Sequence, residues 1–132
     1  MIYAKTLRQA ITVRKATPDD DVDIARLRYM QERDFTGDVP VVRGIEFFVA
    51  ETGGRVVAVS GGSYVPKTRS AIVTDFYDDG TKDGKRGLVA LLDDAMRSHV
   101  KLYIQVPFDR PELRDWLERK GVRWIAWSGE YP

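Results

Sequence analysis

Two apolar runs, Glu46–Thr52 and Arg55–Ser60, flank the dipeptide Gly53-Gly54, and this is the strongest local constraint in the chain. A two-residue link with both residues free to adopt positive φ suits the tight turns that match strand twist, so the pair reads as a β-hairpin. Gly61-Gly62 directly follows the second run, where a strand bends or lets another backbone or a ligand come close. A further β-branched and aromatic run, Ser70–Tyr77, reads as a central strand. Ile11–Ala16 and Lys101–Val106 alternate apolar with polar residues and read as half-buried strands, with a last strand expected over Val122–Trp127.

Helical signals fill the gaps. Thr17-Pro18-Asp19-Asp20 opens a helix whose stripe is Ile24, Leu27 and Met30, running to about Asp34. Residues 35–44, with two Gly and a Pro, read as a loop. Leu88, Leu91, Leu92, Ala95 and His99 make the stripe of a second helix, entered through a Gly- and Lys-rich loop over Thr81–Gly87. Asp109 and Glu112 are spaced as a capping box for a third helix, which buries Leu113, Trp116 and Leu117 and ends at Gly121. The expected fold is α+β: a mixed, mostly antiparallel sheet of about six to seven strands flanked by three to four helices. One domain over residues 1–132 is expected, with 1–10 as an N-terminal arm.

Composition removes several chemistries. The chain of 132 residues has no Cys and one His, which excludes disulfides, a thiolate nucleophile and the common zinc sites. Lys and Arg number 21 against 20 Asp and Glu, so the whole chain is no polyanion coat. No apolar stretch has the length of a membrane span and no signal-peptide block opens the sequence, so a cytoplasmic location without membrane contact is expected.

The segments "ITVRKATPDDDVDIARL", "FFVAETGGRVVAVSGG", "SAIVTDFYDDGTKDGKRGLVALLDDAM" and "LRDWLERKGVRWI" together resemble, in order and spacing, the GNAT (GCN5-related N-acetyltransferase) superfamily. The resemblance covers residues 11–127. It implies an N-acyltransferase that moves an acyl group, acetyl above all, from acyl-CoA to an amine by direct attack, with no metal. The acceptor is a small molecule or a macromolecule, and members of the fold often form homodimers.

A strand opening through a Gly-containing loop into a helix offers unpaired N–H groups and the positive end of the helix dipole to a pyrophosphate. The expected coenzyme contacts are therefore Phe76, Tyr77, Lys82, Gly84, Lys85, Arg86, Gly87, Leu88 and Val89. The family's Gln/Arg-x-x-Gly-x-Gly/Ala pattern is not reproduced. With Gly87 as the first motif glycine, Gly84 falls at the Gln/Arg position and Val89 at the final small one.

Direct attack needs a base and an acid for the leaving thiolate. Asp75, in the central strand, is the first choice as base, ahead of Glu46, Glu51 or water. The family's late-helix Tyr corresponds to Leu117, so Tyr103, Tyr77 and Tyr131 are the substitute acids, with Tyr103 preferred. His99 lies at the far end of its helix from the phosphate loop and reads as a packing residue.

Two readings stand beside the first. Phage-encoded relatives modify DNA bases, and Arg110, Arg114, Arg119, Lys120 and Arg123 with Trp116, Trp124 and Trp127 could meet nucleic acid. Alternatively, the altered motif marks a non-catalytic binding domain. The acidic run Asp75, Asp78, Asp79 and Asp83 does not have the spacing of a calcium loop and reads as turn and cap residues.

Overall fold

The computed structural model describes residues 10–32, 45–106 and 110–122. Strands β1 (Thr12–Lys15), β2 (Glu46–Thr52), β3 (Arg55–Val65), β4 (Ser70–Asp78) and β5 (Lys101–Ile104) form one sheet in the order 1-2-3-4-5. The first three pairings are antiparallel and β4–β5 is parallel. Helices α1 (Asp21–Glu32), α2 (Lys82–Ser98) and α3 (Pro111–Arg119) complete the framework. The described sheet has five strands, not six to seven, and of the expected final strand only Val122, outside any strand, lies within the described residues.

The hairpin forms where the sequence places it. Gly53 and Gly54 have φ of 58° and 74°, the left-handed pair that a two-residue turn requires. Adjacent residues on each strand then go to opposite faces. Ala50, Ala58, Val73 and Phe76 pack with Leu88, Leu91, Leu92, Leu113 and Leu117, under α2 and α3. Val49, Val56, Val59 and Tyr77 pack with Ile24 and Leu27 of α1 on the other face. Met30, expected in the α1 stripe, is 46% exposed.

Two bulges reshape this sheet. Ala50 pairs with Ala58 and Glu51 with Val56, leaving Val57 as an extra residue in β3. Gly61 pairs with Asp75 and Gly62 with Val73, leaving Thr74 as an extra residue in β4. A Cβ on Gly62 would collide with the carbonyl oxygen of Ile72 and stand 3.0 Å from Val73 Cα. The Gly61-Gly62 pair thus admits a second backbone, one of the two roles its sequence suggested.

The first corner of the sheet is fixed by charge. Arg14 on β1 donates to Asp20 at 2.7 and 2.9 Å and to Glu51 on β2 at 3.3 Å. Asp20 also closes a capping box by accepting from the Thr17 N–H at 2.8 Å. The Arg14 hydrogen bonds outweigh the effect of burial and hold the Asp20 carboxyl down at about 2. A folded-state value below the unfolded one stabilises the protein above the unfolded pKa, and that contribution fades as pH falls through the folded one. Asp20→Asn is predicted to lower stability at neutral pH by about 1–2 kcal/mol and to flatten the loss of stability between about pH 4 and pH 2. Urea melts across that range check it, and a variant with an unchanged acid limb would remove Asp20 from this role.

Candidate functional site

The parallel ladder between β4 and β5 is short. It runs from Ser70–Lys101 to Val73–Ile104, and Gln105 N–H adds a last bond to Val73 O at 2.9 Å. Beyond the bulge, Asp75–Asp78 continue β4 with β3 as their strand partner among the described residues. Among the described residues no strand pairs with the β5-facing edge of β4 there, at the carboxyl ends of two parallel strands, the position where open α/β sheets receive ligands. A cleft of about 380 Å³ lies there, between α2 and α3. Leu88, Val89 and Leu92 form one wall, Leu113 and Trp116 the other, and Gln31 of α1 reaches its border.

Arg110 ties the cleft together. Its guanidinium donates to Phe76 O at 3.1 Å and to Asp78 Oδ1 at 3.0 Å, so the start of α3 is fastened to the open edge of β4. The side chains are 16% and 8% exposed, a burial at which each ion depends on the other. Arg110 also occupies the N-cap position of α3, while Asp109, expected there, lies outside the described residues.

The expected phosphate loop is not a loop. Thr81 caps α2 by accepting from the Gly84 N–H at 3.0 Å, and the helix begins at Lys82. Gly84 and Gly87 therefore sit inside the first turns of a helix, against their usual propensity. Gly87 serves helix-to-sheet packing: a Cβ there would stand 3.0 Å from Ala50 Cβ, 3.0 Å from Val57 Cγ2 and 3.2 Å from Ala58 Cβ. The extra residue Val57 fills the space that a side chain on Gly87 would need. Gly84 faces Asp79, whose carboxylate a Cβ would strike.

Of the nine expected coenzyme contacts, Lys85, Leu88 and Val89 line the cleft. Phe76 is buried under the helices and offers its carbonyl to Arg110. Tyr77 is buried on the α1 side, where its hydroxyl donates to Asp75 Oδ1 at 3.3 Å. Lys82 is exposed, and Arg86 pairs with Asp83 at 3.1 Å.

Asp75 is half-buried, just beyond the bulge. Tyr103 is not brought to it. Tyr103 is 45% exposed and level with Ile72, three residues back along β4, or about 10 Å of strand. Leu117, at the family's acid position, is fully buried. Glu51 is held by Arg14, and Glu46 lies 3.8 Å from Lys15. Tyr131 lies outside the described residues.

His99 ends α2, with Nδ1 2.9 Å from Ala95 O and its ring stacked on Tyr64 at 5.2 Å between centroids. Burial there, with Glu46 and Asp94 nearby, pushes the Tyr64 hydroxyl up to about 12. Of the basic-aromatic group, Arg114 pairs with Glu118 at 3.5 Å and Lys120 with Asp93 at 3.6 Å. Arg123, Trp124 and Trp127 lie outside the described residues. Among the described residues no three His, Asp or Glu side chains group as a metal site would need, and no helix is long and apolar enough to cross a membrane.

The fold has clear counterparts among solved structures. A ribosomal-protein-alanine N-acetyltransferase from Brucella melitensis biovar Abortus 2308 superimposes with a TM-score of 0.67 over 93% of this chain and 98% of its own, at 20% identity. Aminoglycoside N-acetyltransferase AAC(6')-Iy, in complex with CoA, gives 0.68 over 98% of both chains at 10% identity. The fold is that of the GNAT acetyltransferases. A third GNAT neighbour, the aminoglycoside acetyltransferase meta-AAC0020 from an uncultured soil metagenomic sample, in complex with sisomicin, gives 0.63 over 92% of this chain and 95% of its own at 12% identity. No protein-family model matches the sequence, and no curated protein does.

Asp78 and Arg110 are the site residues that sequence reasoning assigned elsewhere, to a turn and to a surface cluster. They are 32 residues apart and meet across a βαβ crossover, so no local spacing marks the pair. Gly87→Val is predicted to destabilise the protein by about 2–3 kcal/mol with no ligand present, because the helix must lift from the sheet. Chemical denaturation measures it, and a variant as stable as the parent would return Gly87 to a ligand-contact role.

Proposed function

We propose that this chain is a GNAT-type N-acyltransferase that takes an acyl group, acetyl first, from a pantetheine thioester such as acyl-CoA and gives it to an amine. The observation that carries the reading is the open β4 edge, with its cleft, at the carboxyl ends of β4 and β5. An extended arm bearing amides can pair with a free strand edge as another strand would, while the apolar walls take its methylene groups. The neighbours support both substrates: one is in complex with CoA and another with the aminoglycoside sisomicin.

The fit to the donor differs along its length. The β4 edge and the walls made by Leu88, Val89, Leu92, Leu113 and Trp116 suit the pantetheine arm and the acyl group. At the start of α2, the expected seat of the diphosphate, the Asp79 carboxylate is bonded to Thr81 and stands where a side chain on Gly84 would be. When bound, the thioester supplies an activated carbonyl carbon.

The protein's part is to hold that carbon beside the acceptor and to remove a proton. The amine nitrogen forms a bond to the carbonyl carbon, the carbon–sulfur bond breaks, and the amine proton passes to Asp75. Tyr77 donates a hydrogen bond to the Asp75 carboxylate at 3.3 Å and fixes its orientation. The sulfur leaves as a thiolate and takes up, through water, the proton that Asp75 received, which restores the carboxylate; Leu117 has no proton to give and Tyr103 stands on the paired side of the bulge.

Acetyl-CoA incubated with a panel of polyamines, aminoglycosides and peptide amines, followed by mass spectrometry, is predicted to yield an amide in at least one class. Asp75→Asn is predicted to lower kcat about 100-fold while donor binding persists. Full activity in that variant removes Asp75 as base, and no amide from any amine overturns the transferase reading in favour of a binding domain.

A further inference from the structure

The charges around the cleft cancel. Lys85 and Arg110 stand against Asp78 and Glu112, and Arg110 already spends its charge on Asp78 at 3.0 Å. A diphosphate in this cleft meets no net positive charge. The alternative seat is the start of α2, where the chain has placed a carboxylate of its own. Asp79 Oδ1 accepts from the Thr81 N–H at 3.0 Å and from the Thr81 hydroxyl, and lies against the α-carbon of Gly84. Thr81 Oγ1 takes the Gly84 N–H, and Asp78 takes the Gly80 N–H at 3.1 Å. Two arginines nearby, Arg86 and Arg55, share one carboxylate, Asp83, at 3.1 and 3.8 Å, and Lys82 is exposed at the first position of the helix. The apolar part of the cleft remains open to a ligand, and among the described residues no strand covers the β4 edge beyond the bulge, where Arg110 takes the Phe76 carbonyl.

We propose that, on the donor reading above, this chain recognises the acyl-pantetheine arm and not the adenosine diphosphate of its donor, with Asp79 as the specificity-determining residue. A diphosphate entering the start of α2 must displace Asp79 from Thr81 and meet its charge at close range, while Asp78 and Asp83 are already countered by arginines. An arm without the diphosphate avoids that conflict. The same arm is borne by coenzyme A and, through a serine phosphate, by carrier proteins, and one experiment separates the two sources.

Protein-observed NMR titrations of the whole chain would compare coenzyme A, pantetheine and an acyl carrier protein in its holo and apo forms. Coenzyme A and pantetheine are expected to bind with Kd values within about threefold of each other. Asp79→Ala is expected to tighten coenzyme A about tenfold or more over pantetheine, because the carboxylate charge is removed and the Thr81 N–H is released. Asp79→Asn, which keeps the cap on Thr81 and removes the charge, is expected to fall between the two and guards against misfolding of the first variant. Holo carrier protein binding more tightly than pantetheine, with no binding by the apo form, names the carrier as the source. Equal binding by holo protein and pantetheine names the coenzyme. Wild-type protein that prefers coenzyme A to pantetheine tenfold or more overturns the proposal while leaving the donor reading intact. Failure of all these ligands to bind overturns both.

Discussion

At Gly62 the backbones of β3 and β4 approach so closely that a methyl group on β3 would strike Ile72 O, and the rest of the site follows from that contact. The approach accompanies the extra residue Thr74, which shifts the register so that Gly61 faces Asp75 and Gly62 faces Val73. The parallel ladder to β5 stops at the same level, with Val73 opposite Ile104. A regular β4 would have no register break at the point where its edge becomes free. The bulge thus ends one pairing and leaves an edge without a strand partner among the described residues, and Asp75 follows it on the face of β4 that carries Tyr77.

The second bulge, at Val57, works with the first. It sends Val57 and Ala58 towards α2, and Gly87 meets both, which brings the helix down onto the sheet. The close approach fixes where the first half of α2 lies, and with it the wall of the cleft made by Leu88, Val89 and Leu92. On the other side Arg110 fastens α3 to β4 through Phe76 O and Asp78. The cleft is therefore held by one glycine contact and one buried ion pair, on opposite walls. Apolar packing of Leu113 and Leu117 keeps α3 on the same layer.

The hairpin, the central strand and the βαβ unit were legible in the sequence because each rests on local pattern: two glycines at a turn, β-branched alternation, a leucine stripe. The start of α2 was not. Gly84 and Gly87 signal a loop by propensity, yet Thr81 caps a helix and the sheet demands glycine at position 87 for space. The strand-to-helix junction after β4 was legible, but the place of Asp79 against Thr81 and Gly84 was hidden, because Asp79 reads equally as a turn residue. Arg110 and Asp78 were each assigned a local role, and only the crossover brings them together. Asp75 was expected to be partly buried in the central strand and is half-buried there, whereas Tyr103 shares that sheet but stands on the other side of the bulge.

On the proposed function, a thioester donor binds at the edge of β4 beyond the bulge, with the cleft beside it. A backbone amide map recorded with saturating acetyl-pantetheine tests it most directly. Shifts are expected to concentrate on Thr74–Asp78 of β4 and on Leu88, Val89, Leu113 and Trp116, with β1 and the hairpin turn unmoved. Shifts confined to the opposite end of the sheet, around Arg69 and Val100, or no shifts at all, would contradict it.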